Sequence, residues 1–181
     1  QVNVIQTVAD FLGIHIRNTQ FREEQVRARL VTRDLEIAAG IQRSLLPQRL
    51  PGTPHASLAG FYRSAREVGG DYFDALPTGD GNLLLVVADV MGKGLPAALF
   101  ALMFRSLVRA RRDLAPAPGR FLAWLNHNLF QELDRANMFV TALLVYVDGA
   151  RHELRIAGAG HPPLLLATAA GEVIEVPSSG M

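Results

Sequence analysis

The sequence contains no cysteine, which excludes a disulfide framework and any metal site built on thiolates. No apolar run approaches the roughly 20 residues that a membrane-spanning helix needs, and no signal peptide opens the chain. The formal net charge is only +1, and basic and aromatic residues are not interleaved anywhere. We therefore predict a cytoplasmic protein with neither a membrane nor a nucleic-acid partner. Any metal would be held by oxygen ligands, which suit magnesium, manganese or calcium.

Apolar residues are plentiful, at 49% of 181 residues, which is enough for one core and an appendage. The chain begins with Gln1 rather than Met and stops at "VPSSGM" without completing a helix or strand. We expect it to be a fragment of a longer protein.

The first 46 residues have the pattern of one long helix, or of two nearly continuous ones, since proline first appears at Pro47. Two apolar stripes run side by side along it. The first includes Val31, Leu35, Ala38 and Leu45, and the second Val26, Leu30, Ile37 and Ile41. We expect one stripe to pack on the domain and the other on a partner helix, as in a parallel dimeric linker. An ordinary surface helix is the alternative.

After "PQRLPGTP", short β-type runs dominate the sequence. They are 57–63, 71–76, 82–90, 138–148, 152–158, 163–169 and 171–176. Two helical patterns, 96–112 and 119–133, are inserted among them. Strands in hairpins with an inserted helical pair predict an α+β fold with antiparallel sheets.

Asp71 and Asp89 lie at the outer ends of the two runs that flank the hairpin signal "PTGDGN" (77–82). A turn centred near residues 79–80 pairs positions that sum to about 160, so Asp71 would face Asp89. The run "LLLVVAD" suggests a strand buried on both faces, where two opposed carboxylates repel unless cations bind them. The alternative is that Asp71 caps a turn after Gly69-Gly70 and Asp89 caps the helix that begins near Pro96.

A glycine loop, "GKG" at 92–94, follows Asp89 and leads into that helix. Gly92 and Gly94 would let the backbone turn sharply and approach an ion or a phosphate. The loop is not a P-loop, because Lys93 is not followed by Ser or Thr.

Four segments in order carry a family resemblance: "REVGGDYFDAL", "LLLVVADVMGKGLPAALFALMFRSLVRA", "FVTALLVYVD" and "IAGAGHPPLLL". They resemble the SpoIIE-like branch of the metal-dependent protein phosphatases of type 2C. The resemblance implies an antiparallel β-sandwich flanked by helices, and two Mn²⁺ or Mg²⁺ ions held by Asp71, Asp89 and the carbonyl of Val90. It also implies hydrolysis of phosphoserine or phosphothreonine on an anti-anti-sigma-like protein in bacterial stress or developmental signalling.

The same resemblance divides the chain into three parts. Residues 1–22 look like the last helix of a GAF-like sensor, 23–47 like a helical linker that forms a coiled coil, and 48–181 like the N-terminal portion of the phosphatase domain. It implies a homodimer whose N-terminal helix transmits a signal from the sensor to the phosphatase.

The family's later metal aspartates, in a "TDG"-type strand end and a C-terminal "DD" motif, have no counterpart here. Asp148-Gly149 is better explained as a hairpin turn. We therefore expect the chain to carry an incomplete metal site and little or no activity by itself. Two alternatives follow: a non-catalytic module that binds a phosphoprotein, and a dimerising signal-relay module defined by its helix.

Several nearby residues have weaker assignments. Arg66 and Arg63 are candidates for orienting a phosphate. Glu67 and Asp74 are candidates for supporting the metal ligands or for capping. His161, in the "AGHPP" motif, is expected to play a structural role near the site rather than a catalytic one.

Overall fold

A computed structural model describes residues 2–79 and 81–177; the side chains of residue 2 and of residues 5–8 lie outside that description. The elements are α1 (Val2–Leu45), β1 (Asp71–Pro77), β2 (Leu83–Val90), α2 (Leu95–Ala110), α3 (Pro118–Arg135), β3 (Val140–Asp148), β4 (Glu153–Ala159), β5 (Leu164–Ala167) and β6 (Val173–Val176), with one 3-10 turn at Arg112–Leu114. The predicted α+β class, the antiparallel pairing and the long N-terminal helix are confirmed. None of the described helices combines the length and apolarity of a membrane span.

The chain divides into two compact units, 1–40 and 41–181. The first is the helix α1 up to Gly40, and the second begins at Ile41. The apolar stripe of Val26, Leu30, Ile37 and Ile41 is more than half exposed at every position. In the other stripe Leu35, Ala38 and Leu45 are partly buried, whereas Val31 is exposed.

The second unit is built on a four-stranded antiparallel sheet in the order β1-β2-β3-β4. One face carries apolar side chains at alternate positions of β1, β2 and β3, and α2 and α3 supply the rest of the core. The largest side chains of this core with almost no exposed surface include Leu84, Val108, Phe121, Leu125 and Leu144. Each such side chain stabilises the fold by roughly 1.5–3 kcal/mol through burial. A separate antiparallel pair, β5-β6, completes the described strands.

The β1–β2 hairpin has the predicted register. Pairing runs without interruption from Asp71↔Asp89 to Pro77↔Leu83. The turn closes through hydrogen bonds from the Thr78 amide to the Asn82 carbonyl (2.9 Å) and from the Gly81 amide to the Thr78 carbonyl (3.2 Å). Gly81 has φ of 81°, a conformation that favours glycine. Asp80, within the predicted turn, lies outside the described residues.

Two expectations from the sequence are wrong. Residues 57–63 are not paired as a strand; the isolated bridge Thr53↔Ala56 lies just before them. Strand β2 is buried on both faces only at its start, because further along Val87 is 45% exposed and Asp89 is also exposed. The helices cover one face of the sheet, and the face that carries Asp89 remains accessible near the end of β2.

Candidate metal centre

Asp71 and Asp89 are directly opposed at the open end of the β1–β2 hairpin. Because side chains alternate along a strand, register partners project from the same face of the sheet. Both aspartates are exposed, so water and ions reach them. The next strand continues the row, since Thr141 of β3 is the register partner of Asp89.

The negative charge of Asp89 disfavours the ionisation of Asp71. The pKa of Asp71 is raised above its ordinary value, first by partial desolvation and then by the negative charge of Asp89 and a hydrogen bond with it. The charge of His161 acts in the opposite direction on Asp71. A divalent cation bound by both carboxylates would neutralise their two charges and so remove the repulsion between them.

The backbone beside the pair is shaped by Gly70. Its carbonyl accepts a hydrogen bond from the Val90 amide at 3.3 Å. A Cβ built on Gly70 would lie 2.7 Å from the Val90 carbonyl oxygen and 3.1 Å from the Ala97 Cβ. Glycine thus preserves the space around the carbonyl oxygen that the family resemblance implies as a third ligand.

A cleft of about 200 Å³ opens on one side of the two aspartates. Its cationic members are Arg66 and Lys93, both exposed. Gly92 and Gly94 line the same cleft, with φ of 102° and 75°. These positive φ angles turn the chain from β2 into α2, as the glycine loop predicted, and they bring the Lys93 segment back beside Asp89.

A second cleft, of about 440 Å³, also includes the two aspartates. Phe61, Tyr62, Arg63 and His161 line it together with the two aspartates. The Tyr62 hydroxyl is buried and has no hydrogen-bond partner among the described residues. Burial, and after it the charge of Asp71, raises the pKa of Tyr62, so the phenol is neutral.

Gln42, near the end of α1, is a site residue that the sequence did not reveal. Gln42 is buried, with 4% of its surface exposed. Its Nε2 donates to the Gly69 carbonyl at 2.7 Å, and its Oε1 accepts from the Gly69 amide at 3.1 Å. The signal available in the sequence was a glutamine between the apolar residues Ile41 and Leu45 at the end of a helix.

Two of the residues predicted near the site, Glu67 and Asp74, do not line either cleft. Glu67 is exposed and lines neither of them. Asp74 lies on the opposite face of β1 from Asp71, because the two are three positions apart. There Asp74 is buried, accepts from the Tyr72 hydroxyl at 2.8 Å and pairs with Arg109 at 2.7 Å. Asp74 therefore joins β1 to α2 and does not support the metal ligands directly.

The donor set fits a hard divalent cation, because it consists of two opposed carboxylates and a carbonyl kept accessible by glycine. In the described parts of the chain, no cluster of three or more His, Cys, Asp or Glu side chains is arranged to hold a metal. Asp148 adds no ligand. It ends β3, and its Oδ1 accepts from the Arg151 amide at 3.1 Å, as the hairpin-turn interpretation predicted.

The fold and the motifs define the class of protein. The family model of stage II sporulation protein E (SpoIIE) matches residues 79–181, more than half of the chain. The chain belongs to the SpoIIE family, which is metal-dependent, and the resemblance drawn from its motifs is confirmed. Asp89 lies within the matched range and Asp71 precedes it.

Individual relatives agree with that assignment. The chain is 30% identical over 130 residues to the phosphoserine phosphatase RsbU of Bacillus subtilis, covering 72% of this chain and 38% of RsbU. It is 27% identical over 136 residues to the phosphoserine phosphatase RsbP of the same species, covering 74% and 34% of the two chains. The chain therefore spans little more than a third of the length of these relatives.

Solved structures share the fold. The PP2C domain of SiaA from Pseudomonas aeruginosa has a TM-score of 0.63 at 24% identity, with coverage of 83% of this chain and 61% of that chain. The crystal structure of the RsbU and RsbW domains of a Mycobacterium tuberculosis protein gives 0.55 at 30% identity, with coverage of 65% and 32%.

Proposed function

We propose that the protein is a metal-dependent serine/threonine protein phosphatase of the cytoplasm. The observation that carries this proposal is the opposition of Asp71 and Asp89 across β1–β2 in a chain of the SpoIIE family. The similarity to two relatives named phosphoserine phosphatases supports the same reaction class.

Asp71, Asp89 and the Val90 carbonyl would hold the metal, Mn²⁺ or Mg²⁺, with two ions expected in the complete domain. When bound, such ions supply Lewis acidity, activate water for hydrolysis and offset charge on phosphoryl oxygens. Arg66 and Lys93, beside the pair, would bind the phosphate through charge-assisted hydrogen bonds. Gly92 and Gly94 leave the loop open for that approach, because neither adds a side chain to the cleft.

The substrate proposed is a phosphorylated anti-anti-sigma-like protein in bacterial stress or developmental signalling. The test is manganese-dependent release of phosphate from such a protein, with Asp89→Asn as the inactive variant. Asp113→Asn, in the exposed 3-10 turn, serves as the matched charge-loss control. Turnover that persists in EDTA, or in Asp89→Asn, would contradict the proposal.

Regulation through the N-terminal helix is a further part of the proposal. Residues 1–22 would end a GAF-like sensor, 23–47 would form a coiled-coil linker, and 48–181 the N-terminal portion of the phosphatase. The exposed stripe of Val26, Leu30, Ile37 and Ile41 supports a homodimer, because it offers an apolar seam to a second helix. Gln42 supports a link to the site, because it binds the residue just before Gly70-Asp71.

Analytical ultracentrifugation of Ile37→Ser/Ile41→Ser tests that arrangement. The variant should be monomeric, with altered phosphatase activity. A variant that remains dimeric and fully regulated would rule out the helical seam.

A non-catalytic phosphoprotein-binding module is the second candidate, favoured by the absence of a third carboxylate near the pair among the described residues. A binding module would retain the phosphorylated protein without releasing phosphate, and Asp89→Asn would leave its affinity largely unchanged. Parallel binding and turnover measurements on the wild type and Asp89→Asn separate the two candidates.

A further inference from the structure

His161 is held beside the carboxylate pair by the end of β4. Gly158 is the register partner of Leu143, and a parallel bridge between Ala142 and Gly160 continues that contact. Gly160 has φ of 63° and redirects the chain there. The "AGAGH" segment is thereby fixed against β3 at the point where Thr141 faces Asp89.

The imidazole of His161 is oriented by Thr141. The distance from His161 Nδ1 to Thr141 Oγ1 is 3.0 Å, and Thr141 Oγ1 lies 3.5 Å from the Asp89 carbonyl oxygen. A ring held through Nδ1 directs Nε2 away from that hydrogen bond. His161 lines the larger cleft together with Asp71 and Asp89, so its ring borders the space where a phosphorylated side chain at the pair would lie.

The same cleft presents a cationic side chain to a ligand, because Arg63 also lines it. The Tyr62 ring lines the cleft too, whereas its hydroxyl oxygen is buried and has no hydrogen-bond partner among the described residues. A phosphorylated side chain brings three acceptor oxygens and its ester oxygen.

We propose that His161 is a substrate-binding residue, which contacts an oxygen of the phosphorylated side chain through Nε2 while Thr141 holds Nδ1. This inference rests on the proposed phosphatase function and adds a contact from a cleft that Arg66 and Lys93 do not line. The structural role expected for the "AGHPP" histidine is then limited to the Thr141 contact.

Two substitutions distinguish the roles of the two ring nitrogens of His161, Nδ1 and Nε2. In His161→Asn the amide can replace Nδ1 and keep the Thr141 contact, whereas in His161→Gln the longer amide can replace Nε2. Hydrolysis of p-nitrophenyl phosphate and calorimetric binding of O-phospho-L-serine to the Mn²⁺-loaded protein give two readouts of the substrate contact. Calorimetric titration with Mn²⁺ alone reports on the aspartates.

His161→Asn should lower kcat/KM and O-phospho-L-serine affinity by about tenfold to a hundredfold, the scale of one hydrogen bond to a charged group. Its Mn²⁺ affinity should stay near wild type, and His161→Gln should recover most of the loss.

If His161→Asn kept the wild-type activity and O-phospho-L-serine affinity while His161→Gln lost them, the ring would have a purely structural role. That result would overturn the inference. Loss of Mn²⁺ affinity in both variants would also overturn it, since the ring would then act through Asp89. A wild type with Mn²⁺-independent or absent turnover and no O-phospho-L-serine binding contradicts the proposed function itself, whereas an active wild type matched by His161→Asn contradicts this inference alone.

Discussion

The side-chain amide of Gln42 binds both backbone groups of Gly69, two residues before Asp71. This pair of hydrogen bonds joins the end of α1 to the segment that enters β1. Because Gln42 is 4% exposed, water cannot readily replace it as the partner of either backbone group. The position of Asp71 therefore depends on Gln42, which lies 29 residues earlier in the sequence.

Gln42→Ala is expected to lower the free energy of unfolding by about 1–3 kcal/mol, because it leaves a buried amide and carbonyl without partners. It should also weaken Mn²⁺ binding, since the segment before Asp71 loses its support. Urea denaturation and Mn²⁺ titration measure the two effects. Gln48→Ala is the control, because Gln48 is exposed and its side chain donates to nearby backbone, the Arg43 and Leu46 carbonyls. Equal effects of the two substitutions would contradict the assignment of Gln42 to the site.

Gly70→Ala is expected to impair both folding and metal binding. The new methyl would lie 2.7 Å from the Val90 carbonyl oxygen, so the backbone of β1 or β2 must shift. Relieving such an overlap typically costs about 1–3 kcal/mol. Circular dichroism during thermal unfolding, with and without Mn²⁺, measures the loss.

Gly119→Ala is the matched control for that substitution. Gly119 lies in α3 with nothing within 4 Å of an added Cβ. Alanine there should stabilise the protein by roughly 0.5–1 kcal/mol. A Gly70→Ala protein as stable as Gly119→Ala, with unchanged Mn²⁺ affinity, would refute the proposed need for glycine at position 70.

The register of the carboxylate pair was predictable because a short turn fixes it. Once Thr78 and Asn82 close the hairpin, every pair down to Asp71↔Asp89 follows from counting along two strands. The glycine loop was predictable for a similar reason, since positive φ at Gly92 and Gly94 is a local property.

Contacts between residues distant in sequence were not predictable in this way. Gln42 reaches Gly69, and Thr141 reaches His161, only after the sheet and the helix end have packed. The exposure of Val87 was not predicted, because an apolar run in the sequence does not show which face of the strand another element covers. Asp74 follows the strand alternation that separates it from Asp71, but its pairing with Arg109 depends on the position of α2.

Breaking the ion pair between Asp74 and Arg109 is expected to be costly. The Asp74 side chain is 1% exposed, so Arg109→Ala would leave a buried carboxylate with the Tyr72 hydroxyl as its remaining side-chain partner. Losing one member of a buried pair typically destabilises by about 3 kcal/mol or more, and the partial exposure of Arg109 reduces that figure.

A double-mutant cycle in urea tests this prediction. Asp74→Asn combined with Arg109→Ala should be less destabilised than the sum of the single variants, because no unpaired charge stays buried. Asp113→Asn, which removes one partner of the exposed Arg111–Asp113 pair, should leave stability unchanged. Additive single effects would show that the two side chains are not coupled.

Asp71→Asn is expected to have opposite effects on stability without and with metal. In EDTA the substitution removes one of two like charges directly opposed across the strands, which should stabilise the fold by about 0.2–1 kcal/mol. The raised pKa of Asp71 has the same sign, because the folded protein favours the uncharged form of this carboxyl. With Mn²⁺ the wild type should gain stability as the ion binds the native state, and Asp71→Asn should gain much less.

Urea denaturation in EDTA and in excess MnCl₂ gives both differences. Destabilisation by Asp71→Asn in EDTA, or an equal gain from Mn²⁺ in both proteins, would mean that the opposed carboxylates are not the metal centre.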